Sequence, residues 1–415
     1  MNAQERIAAL EFHKKSKGKI QIYPMQNIRN EQELAVAYVP GSTAASDEIA
    51  KNPGTVFDYT GRGNRLAIVS NGSAVLGMGN VGPLASMPIL EGKCLLLKLM
   101  GDVNAIPVAI EATNSDEITK FCRMLAPTVG GINIEDISSP DSFDVIKNLS
   151  DTLDIPIFCD DQQGTAVIVL SAVKNSLTLL EKTIGEARIA VLGAGTAGIA
   201  SAELLIEAGA RDIVVLNSEG ILGPSNTSMD SVQSALAKKT NPRGIAGSVA
   251  EAIEGADILL GLSRSGTVRQ EHIKKMGEKP VVLALALPDP EITLQDAMEA
   301  GAFIYASGNI KDPNSLLNLH AFPGIVRGAF DVRARKLTDS MLIAAADELS
   351  NIVDRRHLSP AHICPRFFGS ETTPRIAEAV GRAAIKEGVA LLGDVPEGEI
   401  YQNTWQRLFG DMEHI

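Results

Sequence analysis

The chain has 415 residues, 45% of them hydrophobic, and its 38 Lys and Arg against 50 Asp and Glu leave a formal charge of -12. That length exceeds what one hydrophobic core usually serves, so two domains are expected. The acidic balance repels a phosphate backbone, and no Lys/Arg stripe interleaved with aromatics offsets it, which excludes nucleic acid as the natural partner.

The opening segment, MNAQERIAALEFHKKSKGKI, carries charge throughout, and apolar runs such as VVLALAL (281 to 287) are too short to span a bilayer; neither export nor membrane insertion is expected. Cys94, Cys122, Cys159 and Cys364 form no CxxC pair, which argues against a zinc site or a secreted disulfide framework and for a reducing cytoplasm. Aliphatic runs closed by Gly, Pro or Asp predict buried strands at RLAIVS (65 to 70), SAVLGMG (73 to 79), CLLLKLM (94 to 100), IPVAIEA (106 to 112) and IPIFCDD (155 to 161). Between them SDEITKFCRMLAPTV predicts a helix capped by Ser115, so strand and helix alternate. The alternation continues through RIAVLGAGTAGIASAELLIEAGARDIVVLN (188 to 217), ADILLGLS, PVVLALALPD and AFIYASG, which implies a second parallel sheet covered on both faces. The domain change falls near residues 164 to 182. From Arg327 the pattern turns helical, with Thr373 as an N-cap and Pro374 in the first turn of TTPRIAEAVGRAAIKEGVALL, and this tail is expected to pack back on the first domain. No internal repeat or low-complexity segment interrupts the chain.

Gly193-Ala194-Gly195-Thr196-Ala197-Gly198 follows the strand RIAVL and opens an apolar helix ending at Gly209. This is the context in which a glycine-rich turn brings backbone up to a pyrophosphate, and it predicts a Rossmann-type nucleotide fold. About twenty positions on, where an acid holds the ribose hydroxyls of NAD, stands Asn217. No Arg or Lys occurs over 217 to 224 to receive a 2′-phosphate and Glu219 opposes one, so the reading leans to NAD with NADP as the alternative. Two acidic pairs, Glu135–Asp136 after GGINI and Asp160–Asp161 after IPIF, sit where strands end. Singly, each pair reads as a helix cap or an acceptor of loop amides. Converging carboxylates instead call for a hard divalent cation, Mg²⁺ or Mn²⁺.

The stretches LAVAYVPG (34 to 41), NGSAVLGMGNVGP (71 to 83), LEGKCLLLK (90 to 98), PTVGGINIEDI (127 to 137), FCDDQQGTA (158 to 166), VLGAGTAG (191 to 198) and AFPGIVRGAFD (321 to 331) cover almost the whole chain in order. Together they resemble the short bacterial malic enzymes. The resemblance implies an α/β protein: an N-terminal α/β substrate and metal domain (1–164), a Rossmann-type doubly wound parallel sheet (165–326) and a helical tail (327–415), in a homodimer. It implies metal-dependent oxidative decarboxylation of malate to pyruvate and CO₂ with reduction of NAD or NADP. Glu135, Asp136 and Asp161 would ligate the metal, with Asp160 as a neighbour that orients them. Lys93 would be the general base, its pKa lowered by burial near the cation, and Tyr38 the general acid. The cofactor set is Gly193, Gly195, Thr196, Ala197, Gly198, Asn217 and Thr165. Arg327 reads as a structural ion pair as readily as a carboxylate binder and is left out of the site.

The pattern breaks at the substrate. Where the family has a segment resembling ANPTPEI with a substrate-binding asparagine, this chain has ALPDPEI and Leu287. Where it has PNQ and two asparagines, this chain reads PNSLLNLHAFPG, with Leu317 in the first place and Asn318 in the second. Asn71 and Gln163 are milder departures, standing where aspartate and histidine are usual. The leucines raise the alternative of the same chemistry on a 2-hydroxy diacid with a more apolar substituent. A catalytically silent nucleotide-binding regulatory protein is a further alternative, and an amino acid dehydrogenase would not require the paired carboxylates.

Overall fold

Strands that read as continuous apolar runs form two parallel sheets, because helices cover both faces of each. The computed structural model describes residues 3–16, 18–75, 77–366 and 369–410. Leu76, within the strand expected over 73–79, and residues 367–368 and 411–415 of the expected tail lie outside the described residues. The first sheet contains β1 (Arg65–Ser70), β2 (Asn104–Ala109), β3 (Gly131–Ile134) and β4 (Ile157–Phe158) in the order β2-β1-β3-β4, all parallel, with Leu66 opposite Gly131 and Ile132 opposite Ile157. The second contains β5 (Arg188–Leu192), β6 (Asp212–Asn217), β7 (Gly220–Ile221), β8 (Ile258–Gly261), β9 (Val281–Ala284) and β10 (Ile304–Ser307) in the order β10-β9-β8-β5-β6-β7. Only the short edge strand β7 is antiparallel. The strand order reverses between β5 and β8, which opens a crevice at the strand ends where such sheets bind ligands.

The period of two along each strand divides the core. Leu66 and Ile68 of β1, with Val191, Ile213 and Ile258 of the second sheet, belong to one continuous apolar cluster that runs between the sheets. Ala67 and Val69 face away, onto Ile118 and Cys122 of the helix Ser115–Leu125 and Val145 and Leu149 of the helix Asp141–Ser150. Ala190, Leu192 and Leu259 face a third cluster beyond the second sheet. The helix Thr165–Leu180 fills the space between the sheets, and Val167, Leu170 and Val173 on it are fully buried. Truncating one such leucine costs about 2–5 kcal/mol. With the turn before it, residues 160–180 have the length and composition of a membrane span, longer than the apolar runs of the sequence reading, yet two-thirds of the span lies inside the protein's own core.

Four helices close the chain: Phe322–Asp331, Asp339–Ile352, Thr372–Glu387 and Glu399–Phe409. The first and last touch the helix Gly82–Gly101 of the first sheet, while Asp339–Ile352 lies on Thr165–Leu180 and on Thr196–Glu207 of the second. Gly324 and Gly328 permit a close crossing of the first and third: a Cβ would stand 2.7 Å from Ile376 at the former and 2.4 Å from the Ala377 carbonyl at the latter. Arg327, buried in Phe322–Asp331, donates to Asp331 and to Asn64 at 2.7 Å each and ties that helix to the turn before β1.

Four local expectations are corrected. CLLLKLM is not a strand but the second half of Gly82–Gly101, whose buried positions Leu90, Cys94, Leu97 and Gly101 recur at helical spacing. Around the undescribed Leu76, 73–79 is a tight loop joined by a Val75–Gly79 bridge, with Gly77 at φ +73° and Gly79 at φ +72°, a conformation that prevents extension. The helix Ser115–Leu125 is capped by Asn114, whose side chain accepts from Glu117 N. Thr373 lies inside Thr372–Glu387, where Glu371 holds the cap position without a side-chain hydrogen bond.

Candidate active site

The acidic pairs converge because β3 and β4 are neighbours in one sheet and both end at the same edge. Asp136 leaves β3 at φ +51°, a left-handed turn that points its backbone N–H at Asp161 Oδ2, 2.9 Å away. After β4 the chain winds through a wide turn, Asp160–Gly164, in which Cys159 N donates to Gln163 Oε1 at 2.8 Å. A side chain at Gly164 would collide with the Asp160 carboxylate, so glycine is required there.

Lys93 rises from the middle of Gly82–Gly101 into this cluster. Its ammonium donates to Asp160 Oδ2 and lies 2.9 Å from Glu135 Oε1 and 5.7 Å from the centroid of the Phe322 ring. Asn133 holds the frame: its Nδ2 donates to Glu135 Oε2 at 2.7 Å and its Oδ1 accepts from Asp160 N at 3.3 Å. From the second sheet's side, Asn318 Nδ2 donates to Asp160 Oδ2 at 2.8 Å.

Four carboxylates crowd one ammonium, and the proton affinities of Asp160, Asp161 and Lys93 show it. Burial, with Glu135 adding to it against the pull of Lys93, pushes Asp160 up to about 6. Burial and then Glu135 hold Asp161 well above the ordinary carboxylate range, with Asp136 adding to the effect and Lys93 opposing it. Burial alone would lower Lys93, but Asp160, Glu135 and Asp161 outweigh it and raise the ammonium well above its usual value. The lowering expected of Lys93 belongs to the site with its cation bound; in the protein alone the acids hold the lysine's proton.

The donor set suits a hard cation: every candidate ligand is a carboxylate, and Asp160 Oδ1 is buried without a hydrogen-bond partner among the described residues. Glu135 is drawn onto Lys93 and Asn133, and among the described residues no three acidic, His or Cys side chains already stand in ligand geometry.

Above the cluster a cavity of about 260 Å³ opens between the sheets. Asp136, Asp161 and Thr165 line one side, Thr196 and Ala197 another, and Leu287, Leu317 and Asn318 a third. Thr196 and Ala197 begin the helix Thr196–Glu207, capped by Gly195. Gly193 takes φ +113° where a side chain would strike the Leu262 carbonyl, and at Gly198 one would strike the Gly193 carbonyl. At Gly195 the space for a side chain is open, which leaves the backbone accessible to a phosphate at the helix N-terminus. Asn217 ends β6, donating to Gln233 Oε1 at 3.1 Å and accepting from Asn226 Nδ2 at 2.8 Å; Gln233 in turn donates to Ala194 O at 3.0 Å.

One expected site residue is not brought in. Tyr38, at the end of the helix Glu31–Ala37, is 68% exposed, and that helix buries no residue. Three residues absent from the sequence reading help build the site. Asn133 is a polar residue inside the apolar run GGINI, which was the available signal; Gln233 carried none. Glu291 is buried and accepts from Ser263 N at 2.7 Å and Ala286 N at 3.0 Å, holding together the loops that follow β8 and β9.

A glycine-rich turn at a helix N-terminus and an acid cluster, whose Asp136 and Asp161 line the same cavity as Thr196 and Ala197, define a dinucleotide-linked oxidoreductase. Residues 17–150 match the malic enzyme N-terminal domain and residues 162–385 the malic enzyme NAD-binding domain. The chain is 38% identical over 400 residues to the bifunctional malic/malolactic enzyme of Bacillus subtilis, covering 96% of this chain and 97% of that one. It is 37% identical to the NAD-dependent malic enzyme of Geobacillus stearothermophilus, over 92% of this chain and 80% of that one. The crystal structure of malic enzyme from Pyrococcus horikoshii superposes with a TM-score of 0.93 at 41% identity, covering 99% of this chain and 97% of that one. The chain belongs to the malic enzyme family of NAD(P)-linked, decarboxylating oxidoreductases, as its motifs implied.

Proposed function

We propose that the chain oxidatively decarboxylates a malate-type 2-hydroxy dicarboxylate, with NAD as the preferred acceptor and Mg²⁺ or Mn²⁺ held by Glu135, Asp136 and Asp161. The observation that carries this is the buried Lys93, bonded to Glu135 and Asp160 in the acid cluster whose Asp136 and Asp161 line one cavity with Thr196 and Ala197. When bound, the cation would supply electrophilic stabilisation of charge on the substrate oxygens and offset the acids that keep Lys93 protonated. Lys93 takes the hydroxyl proton as hydride leaves C2 for the nicotinamide. Asp160 and Asn318 hold that lysine in line, and the glycine turn fixes the cofactor. The carboxylate on C3 then leaves as CO₂, and Tyr38 returns a proton to C3.

An exposed tyrosine cannot do this alone in its own subunit. We place it in the site of a second copy in a homodimer, which would also cover Ile22, Met25, Val36 and Val39, all exposed in the same N-terminal segment. Glu219, beside Asn217, supports NAD over NADP; relatives of both names occur. The four described cysteines are free and buried, in keeping with a reducing cytoplasm.

The test follows absorbance of the reduced nicotinamide with Mn²⁺, malate or its homologues, and NAD or NADP. Turnover abolished by Lys93→Ala supports the reading; turnover unaffected by it, or none with any acid, refutes it. Mixing Tyr38→Phe with Lys93→Ala protein should restore about one quarter of wild-type activity if each site draws on two subunits.

A further inference from the structure

The wall of the cavity opposite the carboxylates is aliphatic. Leu285, Leu287, Leu316 and Leu317 form it, and no Lys, Arg or His lines the cavity among the described residues. Asn318 is the one amide on that wall, and its nitrogen is already committed to Asp160. Leu287 and Leu317 come from loops after different strands, β9 and β10, and each loop is pinned. Glu291 fastens the first through Ala286 N and Ser263 N, and Leu316 N donates to Ser307 O at 2.8 Å to fasten the second. Leu287 is 38% exposed on that wall, so its methyls are offered to a ligand rather than spent on the core.

A malate dianion gains nothing from such a wall, since apart from its carboxylate its C3 carries only hydrogens, and any carboxylate turned toward the wall would lose water without receiving a donor. An alkyl group gains burial. We infer that the substrate carries an alkyl branch on C3, a 3-alkylmalate, and that Leu287 and Leu317 select the branch. This rests on the proposed reaction and adds the substrate class to it. The bonds balance as they do for malate. The C2–H electron pair passes as hydride to the oxidised nicotinamide, and the hydroxyl proton goes to Lys93. The C3–carboxylate bond breaks to release CO₂, and its electron pair on C3 accepts a proton from Tyr38. The product is a 2-oxo acid bearing the branch at its far end.

The experiment compares malate with 3-methyl-, 3-ethyl- and 3-isopropylmalate as substrates of the full chain with Mn²⁺ and NAD or NADP. Each buried methylene should raise kcat/KM about fourfold, so 3-isopropylmalate should exceed malate by more than tenfold. The same order should appear without turnover, as the rise in Tm that each acid gives the protein free of nucleotide. The double variant Leu287→Asn, Leu317→Asn should reverse the order in favour of malate, and each single variant should narrow it. A wild-type chain that turns over malate at least as well as every homologue, in a Lys93-dependent way, overturns this inference and leaves the reaction standing. No Lys93-dependent turnover of any acid overturns both.

Discussion

Replacing Lys93 by alanine removes the one cation that, among the described residues, pairs with this cluster of buried acids. At 2.9 Å from Glu135, an effective dielectric of 20 gives a gross attraction of about 6 kcal/mol. Desolvation of both ions takes part of this back, and breaking a buried pair of this kind costs roughly 3–5 kcal/mol net. Thermal unfolding of the metal-free variant at pH 7.5 should therefore fall by roughly 3–6 °C in Tm. The loss should depend on pH. A carboxyl raised in the folded state favours folding below its unfolded value and loses that contribution as pH rises through its folded value. For Asp160, raised to about 6, the metal-free wild type should lose stability between about pH 4 and pH 6. Without Lys93 pulling that value down, the window should move upward in the variant. Mn²⁺ should recover much of the deficit, adding about 2.7 kcal/mol at one hundred times its dissociation constant. A Tm unchanged in Lys93→Ala, together with no stabilisation by Mn²⁺ in either protein, would refute the picture of an acid cluster short of positive charge.

Other changes probe separate links. Gly198→Ala places a methyl on the Gly193 carbonyl; NADH binding, read by fluorescence, should weaken at least tenfold, with roughly 1–3 kcal/mol lost in urea unfolding. Arg327→Met strands Asp331 and should cost about 3–5 kcal/mol by the same measurement, while KM for the acid in the folded fraction stays put, as befits an ion pair outside the cavity. Burial would raise Glu378, but hydrogen bonds from Arg382, Gly398 N and Tyr401 N outweigh it and hold the carboxyl below its usual value. Its contribution is present above an unfolded value of about 4.3 and fades as pH falls through the folded one. Glu378→Gln should thus lower Tm at pH 7 and converge on wild type in acid. Mn²⁺ and NADH should tighten each other's binding by one common factor, measurable by titrating either in the presence of the other, because both face one cavity.

Much of this was readable from residues. Parallel sheets follow from runs such as RIAVL and PVVLA, which are apolar without alternation because both faces are covered. The acidic pairs were placed at strand ends, and β3 and β4 do bring them together. CLLLKLM shows the limit: where a helix is apolar nearly all round, a run of seven residues has no visible period, and strand and helix read alike. That misreading mattered, since Lys93 is positioned by a helix and not by a loop. Gly164 and Asn133 acquire their meaning only from the carboxylates folded against them. Tyr38 differs in kind, because in the single chain it is mostly exposed and nothing folded against it gives its motif a meaning.

The position of the acids follows from how the core is built. One apolar cluster joins the two sheets through Thr165–Leu180, and the turn that begins this helix is the one that carries Asp160 and Asp161. Buried charge is costly, and a chain selected for stability alone would place such a turn in solvent. Here the cost is offset by the deeply buried helix that follows it, and the return is positional. Asp160 accepts from Lys93 of the first sheet's covering helix and from Asn318 of the second sheet's last loop through the same oxygen. A shift of either sheet relative to the other must stretch one of these two bonds. The carboxylate thereby ties the two sheets together beside the cavity, and in the proposed reaction it would hold Lys93 in register with the sheet that carries the cofactor turn.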